Sequence, residues 1–250
     1  MTPSNPPDQT PPSTTINFPP APGLPAPPSL TARPPHTPLT GRTVSLIPLQ
    51  PDHAADLFEH FGGPDNFDRW TYLPPVGYPD YPTLEADVKT WSQSPDRQYY
   101  TILASVPGGS NDELRPAGII AYLNIEPGSR RLELGAVVLG KKLARTRAAT
   151  EVSYLMLRRA FEEGYTRVEW KANNLNRASV NAALRLGFVA EGMFRKHFII
   201  KGRYRDTAWF SMTDDEWPVV RRGLEAWLDD GNFDGDGRQK RTLQQCREDE

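Results

Sequence analysis

A single cysteine, Cys246, stands near the end of this chain of 250 residues, so no disulfide can form within it and no thiolate cluster can hold a metal. Long apolar runs are missing too. No stretch approaches the about 20 consecutive apolar residues of a membrane-crossing helix, and the N-terminus lacks the basic-then-apolar order of a secretion signal. Net charge is nearly absent, with 29 Lys and Arg against 31 Asp and Glu, so no overall field draws the chain to nucleic acid or to an anionic membrane. The histidines, His36, His53, His60 and His197, show no metal-ligand spacing, and no Ser-His-Asp order stands out. These absences lead to the expectation of a cytoplasmic protein without a metal, whose partners must be read from local sites.

What is present is unevenly spread. Residues 1–40 are mostly Pro, Ser, Thr and Ala, and proline deletes amide donors while holding the backbone extended, so a disordered arm is expected there. A Pro-rich ligand for an aromatic groove has the same composition. Residues 229–250 are rich in Gly and charge and read as a solvated tail. Within them DGNFDGDG has the look of a calcium loop, yet it lacks the carboxylate spacing and the closing bidentate Glu. One folded domain is left, at 41–228.

Inside it, residues 43–49 (TVSLIPL) alternate as a strand, and 51–60 open with Pro and Asp as a helix does. Residues 61–82 mix Gly, Pro and aromatics and read as a loop with a short helical turn, followed by a helix at 83–94. Strands are expected at 99–106, 117–125 and 131–139, joined by PGGSNDELRP and EPGSR into an antiparallel meander. From Thr146 the apolar period becomes helical and runs to Gly164. A short strand at 167–171, a helix at 176–186, a hairpin of 188–201 and 203–213, and a closing helix to Leu228 complete the order.

The segment ARTRAATE, followed by VSYLMLRRAFEEGYTRVEWKANNLNRASVNAALRLGFVAEG, together with this element order resembles the RimJ/RimL branch of the GCN5-related N-acetyltransferases over most of 41–228. The resemblance implies a mixed α/β fold, a mostly antiparallel sheet of about seven strands splayed between RLELGAVVL and RVEWK, with acyl-CoA wedged in the split. A helix start presents free amides and a partial positive charge, which suits a diphosphate. Ala148 and Ala149 are small enough for close approach, Thr150 adds a hydroxyl, and Arg145 and Arg147 add charge. An ordinary basic helix start reads the same way. Against the family pattern, Gln/Arg-x-x-Gly-x-Gly/Ala, Ala144 takes the leading position and Arg147 that of the first Gly.

The resemblance further makes Asn176, with Asn173 beside it, a ligand of the pantetheine arm and Ser179 the acid that protonates the departing thiolate. Helix capping alone also accounts for Asn176. On RLELGAVVL, a bulge near Gly135 would free backbone amides for the thioester carbonyl, with Val137 and Val138 against the cofactor and Glu133 taking the proton of the amine. A solvated strand glutamate is the plainer alternative. Trp70 and Tyr72 would either wall the acceptor pocket or pin their loop to the core. The basic hairpin offers Arg195, Lys196, Lys201, Arg203 and Arg205 to an acidic substrate, Arg195 and Arg203 foremost, while Gly202–Asp206 resembles the family's turn, with Asp206 as a structural partner.

The sequence therefore predicts an enzyme, a monomer or homodimer, that moves an acetyl group from acetyl-CoA to a primary amine by direct attack. Succinyl-CoA or another acyl-CoA as donor, or a CoA-binding module without catalysis, are the alternatives. Neither a membrane nor nucleic acid is an expected partner.

Overall fold

The computed structural model describes residues 31–105 and 114–248. The expected turn PGGSNDELRP falls largely, and the expected arm mostly, outside the described residues. In chain order the elements are β1 (Leu39–Thr40), β2 (Val44–Pro48), α1 (Ala54–Phe61), α2 (Tyr81–Ser92), β3 (Gln98–Ser105), β4 (Leu114–Glu126), β5 (Arg131–Leu139), α3 (Arg147–Glu162), β6 (Arg167–Asn173), α4 (Arg177–Leu186), β7 (Val189–Ile200), β8 (Arg203–Thr213), α5 (Trp217–Leu228) and α6 (Leu243–Glu248). All eight strands join one sheet in the order β1-β2-β3-β4-β5-β6-β8-β7. The strand beyond the expected seven is β1, a two-residue rung on β2.

Neighbouring strands are antiparallel except β5 and β6, which run parallel. That pair is joined only at Arg131–Arg167, Leu132–Val168 and Glu133–Glu169. Beyond Glu133 the two strands part, β5 staying with β4 and β6 with β8. The sheet is therefore split at its centre, as expected.

Period-two alternation decides which side chains face which layer. On one face Leu132, Leu134, Val168, Trp170, Phe210 and Met212 pack under α3, α4 and α5. On the other, Tyr99, Ile119, Ala121 and Val138 pack under α1 and α2. Burial of each such large side chain contributes about 1.5–3 kcal/mol. The second layer covers only the β3 to β5 part of the sheet, and the same face of β6 and β8 carries Glu169, Lys171, Thr207 and Trp209 instead.

The ends of the domain differ from expectation. Leu39 and Pro34 are buried, and the Pro34 carbonyl accepts from the Gln98 amide at 2.7 Å, so the described part of the arm, 31–40, is anchored to the domain at these points while most of its side chains stay exposed. The solvated tail is likewise corrected. Leu243 and Cys246 of α6 are buried in the main core, Arg247 donates to the Arg185 carbonyl at 2.8 Å, and Asn232 bonds the carbonyls of Trp227 and Arg241. Gly223 makes this possible, because a Cβ there would lie 2.2 Å from Arg247 Cγ. Asp234, in the stretch weighed as a calcium loop, turns its carboxylate onto its own backbone amides at Asp236 and Arg238. No helix of the described residues is long and apolar enough to cross a membrane.

Candidate active site

The site is built where β5 leaves β6. Gly135 of β5 pairs with Ala121 and Val138 with Ile119, so Ala136 and Val137 together face Ile120 in a bulge, with Ala136 at φ 50°. Such an insertion takes a residue out of the ladder and re-aims its neighbours. Val137 is the unladdered residue beside Ala136 and packs toward the α3 layer, whereas Val138 has rejoined the ladder and is buried under α1 and α2.

Glu133 sits on the last shared rung, with its side chain 9% exposed. Its Oε2 accepts from Asn124 Nδ2 at 2.6 Å and from Lys171 Nζ at 2.8 Å. Oε1 lies 3.3 Å from where a Cβ on Gly135 would stand, toward the bulge. Lys171 also pairs with Glu169 at 2.9 Å and lies over the Trp209 ring, 4.2 Å from its centroid. Burial is the largest influence on Glu169 and raises its pKa, but the bonds from Lys171 and Arg167 together outweigh it and hold the carboxyl below the usual range. Arg167 in turn clasps Glu191 through two nitrogens, at 2.7 and 2.5 Å.

At the far end of β5, Gly140 donates to the Ala117 carbonyl and the chain turns through Arg145, at φ 65°, into α3. Thr146 caps that helix, its Oγ1 accepting from the Ala149 amide at 3.2 Å. Arg145 is exposed, and Ala148 and Ala149 are half-buried beside it. The other two expected groups are engaged elsewhere. Arg147 donates to the Leu228 carbonyl and to Asp230 and lies over the Phe233 ring, tying α3 to the C-terminal segment. Thr150 is buried with its hydroxyl bonded to Arg185 at 3.0 Å.

Beyond β6, Asn173 Oδ1 accepts from the Leu175 amide and Asn176 Oδ1 from the Ser179 amide, so both asparagines cap local turns. Ser179 Oγ accepts from Trp170 Nε1 at 3.0 Å, which leaves the hydroxyl proton available to donate. Trp70 is buried, bonded to the Phe61 carbonyl and edge-on to Phe61 and Tyr78, so of its two readings the pin holds and the pocket wall does not. Tyr72 is half-buried in the same loop. Arg195 and Arg203 are exposed on the β7–β8 hairpin, whose tip reaches back across the sheet: Lys201 Nζ donates to the Trp70 carbonyl at 2.5 Å. Asp206 accepts from the Lys196 amide at 2.7 Å and fixes the bulge in β7.

The structure thus places Glu133, the Val137 bulge, the start of α3 and Ser179 on the elements that border the split, and leaves Arg147, Thr150 and Trp70 engaged in packing. Residues that pattern reading passed over are Lys171 and Asn124, which hold Glu133, and Trp209 on the same open face; Arg205, read there only as one of the hairpin cations, and His197, considered only as a metal ligand, join Trp209 on that face. A shallow concavity lined by Glu225, Asp229, Asn232 and Lys240 shares none of these residues.

Comparison with known proteins agrees with this geometry. The family model described as an acetyltransferase (GNAT) domain matches residues 43–189. A GCN5-related N-acetyltransferase from Brucella melitensis is 36% identical, with 87% of this chain and 97% of that one covered at a TM-score of 0.82. A GNAT-family protein from Chromobacterium violaceum is 33% identical, covering 81% and 100%, at 0.71. The microcin self-immunity acetyltransferase MccE, solved with acetyl-CoA and AMP, is 17% identical over 69% of this chain and 93% of that one at 0.59, a likeness of fold alone. None of the curated proteins matches. By the family match over more than half its length and by the identity to its structural relatives, the chain belongs to the GNAT family of acyl-CoA-dependent N-acetyltransferases.

Proposed function

We propose that the protein moves an acetyl group from acetyl-CoA to a primary amine of a small molecule, an amino acid or a peptide N-terminus by direct attack in a ternary complex. The observation that carries this reading is the parting of β5 from β6 immediately after the Glu133–Glu169 rung, beside a bulge that takes Val137 out of the ladder. A thioester laid in that gap would point its carbonyl oxygen at backbone donors that need no reorganisation. The residues at the entrance suit the rest of the cofactor: Arg145 and the amide of Ala148 for the diphosphate, with the small side chain of Ala149, whose amide the Thr146 cap takes, allowing close approach, and Asn173 and Asn176 for the pantetheine arm. MccE, of the same fold, was solved with acetyl-CoA.

In the reaction the amine nitrogen attacks the thioester carbon, the C–N bond forms and the C–S bond breaks. Glu133 takes the nitrogen's proton through Oε1, since both bonds to this carboxylate fall on Oε2. Ser179 gives its hydroxyl proton to the departing thiolate and is reprotonated through water by the proton that Glu133 took, so both groups return to their starting states. No covalent acyl-enzyme is needed, and the lone thiol, Cys246 of α6, is buried in the core.

The test is release of free CoA thiol from acetyl-CoA and from succinyl-CoA over a panel of amines, with the intact protein mass followed alongside. Amine-dependent release from acetyl-CoA at constant protein mass is expected. A stable acylated protein would overturn direct attack, faster turnover of succinyl-CoA would change the donor, and tight acetyl-CoA binding without turnover of any amine would make the chain a binding module.

A further inference from the structure

Beside Glu133, on the face of β6 and β8 that no helix covers, four polar side-chain atoms are buried without a hydrogen-bond partner among the described residues: Arg205 Nε, Trp209 Nε1, Thr207 Oγ1 and His197 Nδ1. They form one patch. The His197 ring lies 6.0 Å from that of Trp209, Arg205 Cζ lies 5.6 Å from the Phe198 ring, which is tilted against His197 at 3.9 Å, and Lys171 on the Trp209 ring connects the patch to Glu133. Arg205 and Trp209 offer only N–H donors. Unpaired donors in a buried place are costly, so a patch of them calls for an acceptor-rich occupant.

The occupant's charge follows from Arg205. No carboxylate among the described residues pairs with this guanidinium, and burial lowers its pKa, opposed only by the charge of Glu133. Glu133 and Glu169 are already committed to Lys171. A half-buried cation with a planar fork and no carboxylate paired to it among the described residues fits an oxyanion, and a carboxylate best of all. The patch lies across the sheet from α3, away from the helix start suited to the diphosphate, and near Glu133, where the amine would lose its proton.

From this we infer that the acceptor is an acidic amine whose carboxylate is bound by Arg205, with the Trp209 indole and His197 completing the pocket, so that Arg205 sets acceptor specificity. The inference rests on the acetyltransferase reading and names the class of its second substrate.

The experiment compares kcat/KM with acetyl-CoA for amines of closely matched basicity that differ in the acid, γ-aminobutyrate against butylamine and δ-aminovalerate against pentylamine, in wild type, Arg205→Ala and Arg205→Lys. The wild type is expected to favour the acid by about tenfold or more, chiefly through KM. The ratio should fall to about one in Arg205→Ala and be intermediate in Arg205→Lys, with thermal melting showing that both variants fold. Equal rates within each pair, a preference that survives in Arg205→Ala, or a charge preference seen only with succinyl-CoA and neutral amines would overturn it. If no amine releases CoA, the acetyltransferase reading fails by itself. Calorimetric titration of the CoA-loaded protein with the same pairs then decides the pocket: tighter binding of the acid, lost in Arg205→Ala, supports it, and equal or absent binding overturns it.

Discussion

Lys171 is held between two carboxylates, its Nζ 2.8 Å from Glu133 Oε2 and 2.9 Å from Glu169 Oε2, on the strand that parts from β5 just beyond that pair. All three side chains are largely withdrawn from water, at 12%, 9% and 4% exposure. Removing the shared cation leaves two carboxylates facing each other, so Lys171→Met should destabilise the fold by about 3–5 kcal/mol in denaturant titration. The double variant with Glu133→Gln should recover part of that loss, because one of the repelling charges is gone.

Glu133→Gln by itself keeps a group of the same shape but cannot accept the amine's proton. The expected result is a fall in kcat of about 100-fold or more. A variant with wild-type kcat at every pH would show that the carboxylate only anchors Lys171.

The two arginines at the start of α3 should behave differently. Arg145 is exposed in a left-handed turn, whereas Arg147 is engaged with Leu228, Asp230 and Phe233. Arg145→Ala is expected to weaken acetyl-CoA binding by about fivefold in calorimetry, as loss of a partly screened phosphate contact would. Arg147→Ala should instead loosen residues 229–248, seen as faster amide exchange and proteolysis there.

Where periodicity is strong and local, the sequence and the structure agree: α3 carries its apolar stripe and β5 its alternation, and each lies within a residue or so of expectation. What escaped is set by tertiary partners. α6 has only Leu243 and Cys246 as apolar residues and no amphipathic stripe to announce it, and its place depends on the space left at Gly223. Lys171 was legible as a strand residue, but its bond to Glu133 exists only through the register across the split. Arg203 and Arg205 share strand parity, yet Arg203 lies at the hairpin tip in solvent while Arg205, two residues further into the sheet, turns its Nε away from water.

Glu151 was read only as part of the helix-opening motif, and the structure gives it a defined anchoring task. Its carboxylate accepts from the Arg42 amide at 2.6 Å and from the Thr43 amide and hydroxyl at 2.8 and 2.5 Å, fastening α3 to the turn between β1 and β2. Glu151→Ala should cost about 3 kcal/mol, and Glu151→Gln about half of that because one acceptor oxygen remains. Gly41→Ala should also destabilise, by about 1–3 kcal/mol, since its Cβ would lie 2.6 Å from Glu151 Oε1. Denaturant midpoints of the three variants check the order.

Acid should erode the stability that Glu191 supplies. The double clasp by Arg167 lowers its pKa to about 2 from an ordinary 4.5, with the Ser211 hydroxyl helping and burial opposing. Because the folded value lies below the unfolded one, the stability it supplies is complete above about 4.5 and is lost as pH falls from there toward about 2. The carboxylate is 38% exposed, so solvent screening reduces the effect to about 1 kcal/mol. Glu169, lowered for related reasons, steepens the same limb. In urea titrations at pH values across that window, Glu191→Gln should begin less stable than wild type at neutral pH and converge with it as acid protonates the native carboxylate. Parallel curves would mean that the Arg167 clasp contributes nothing to the fold.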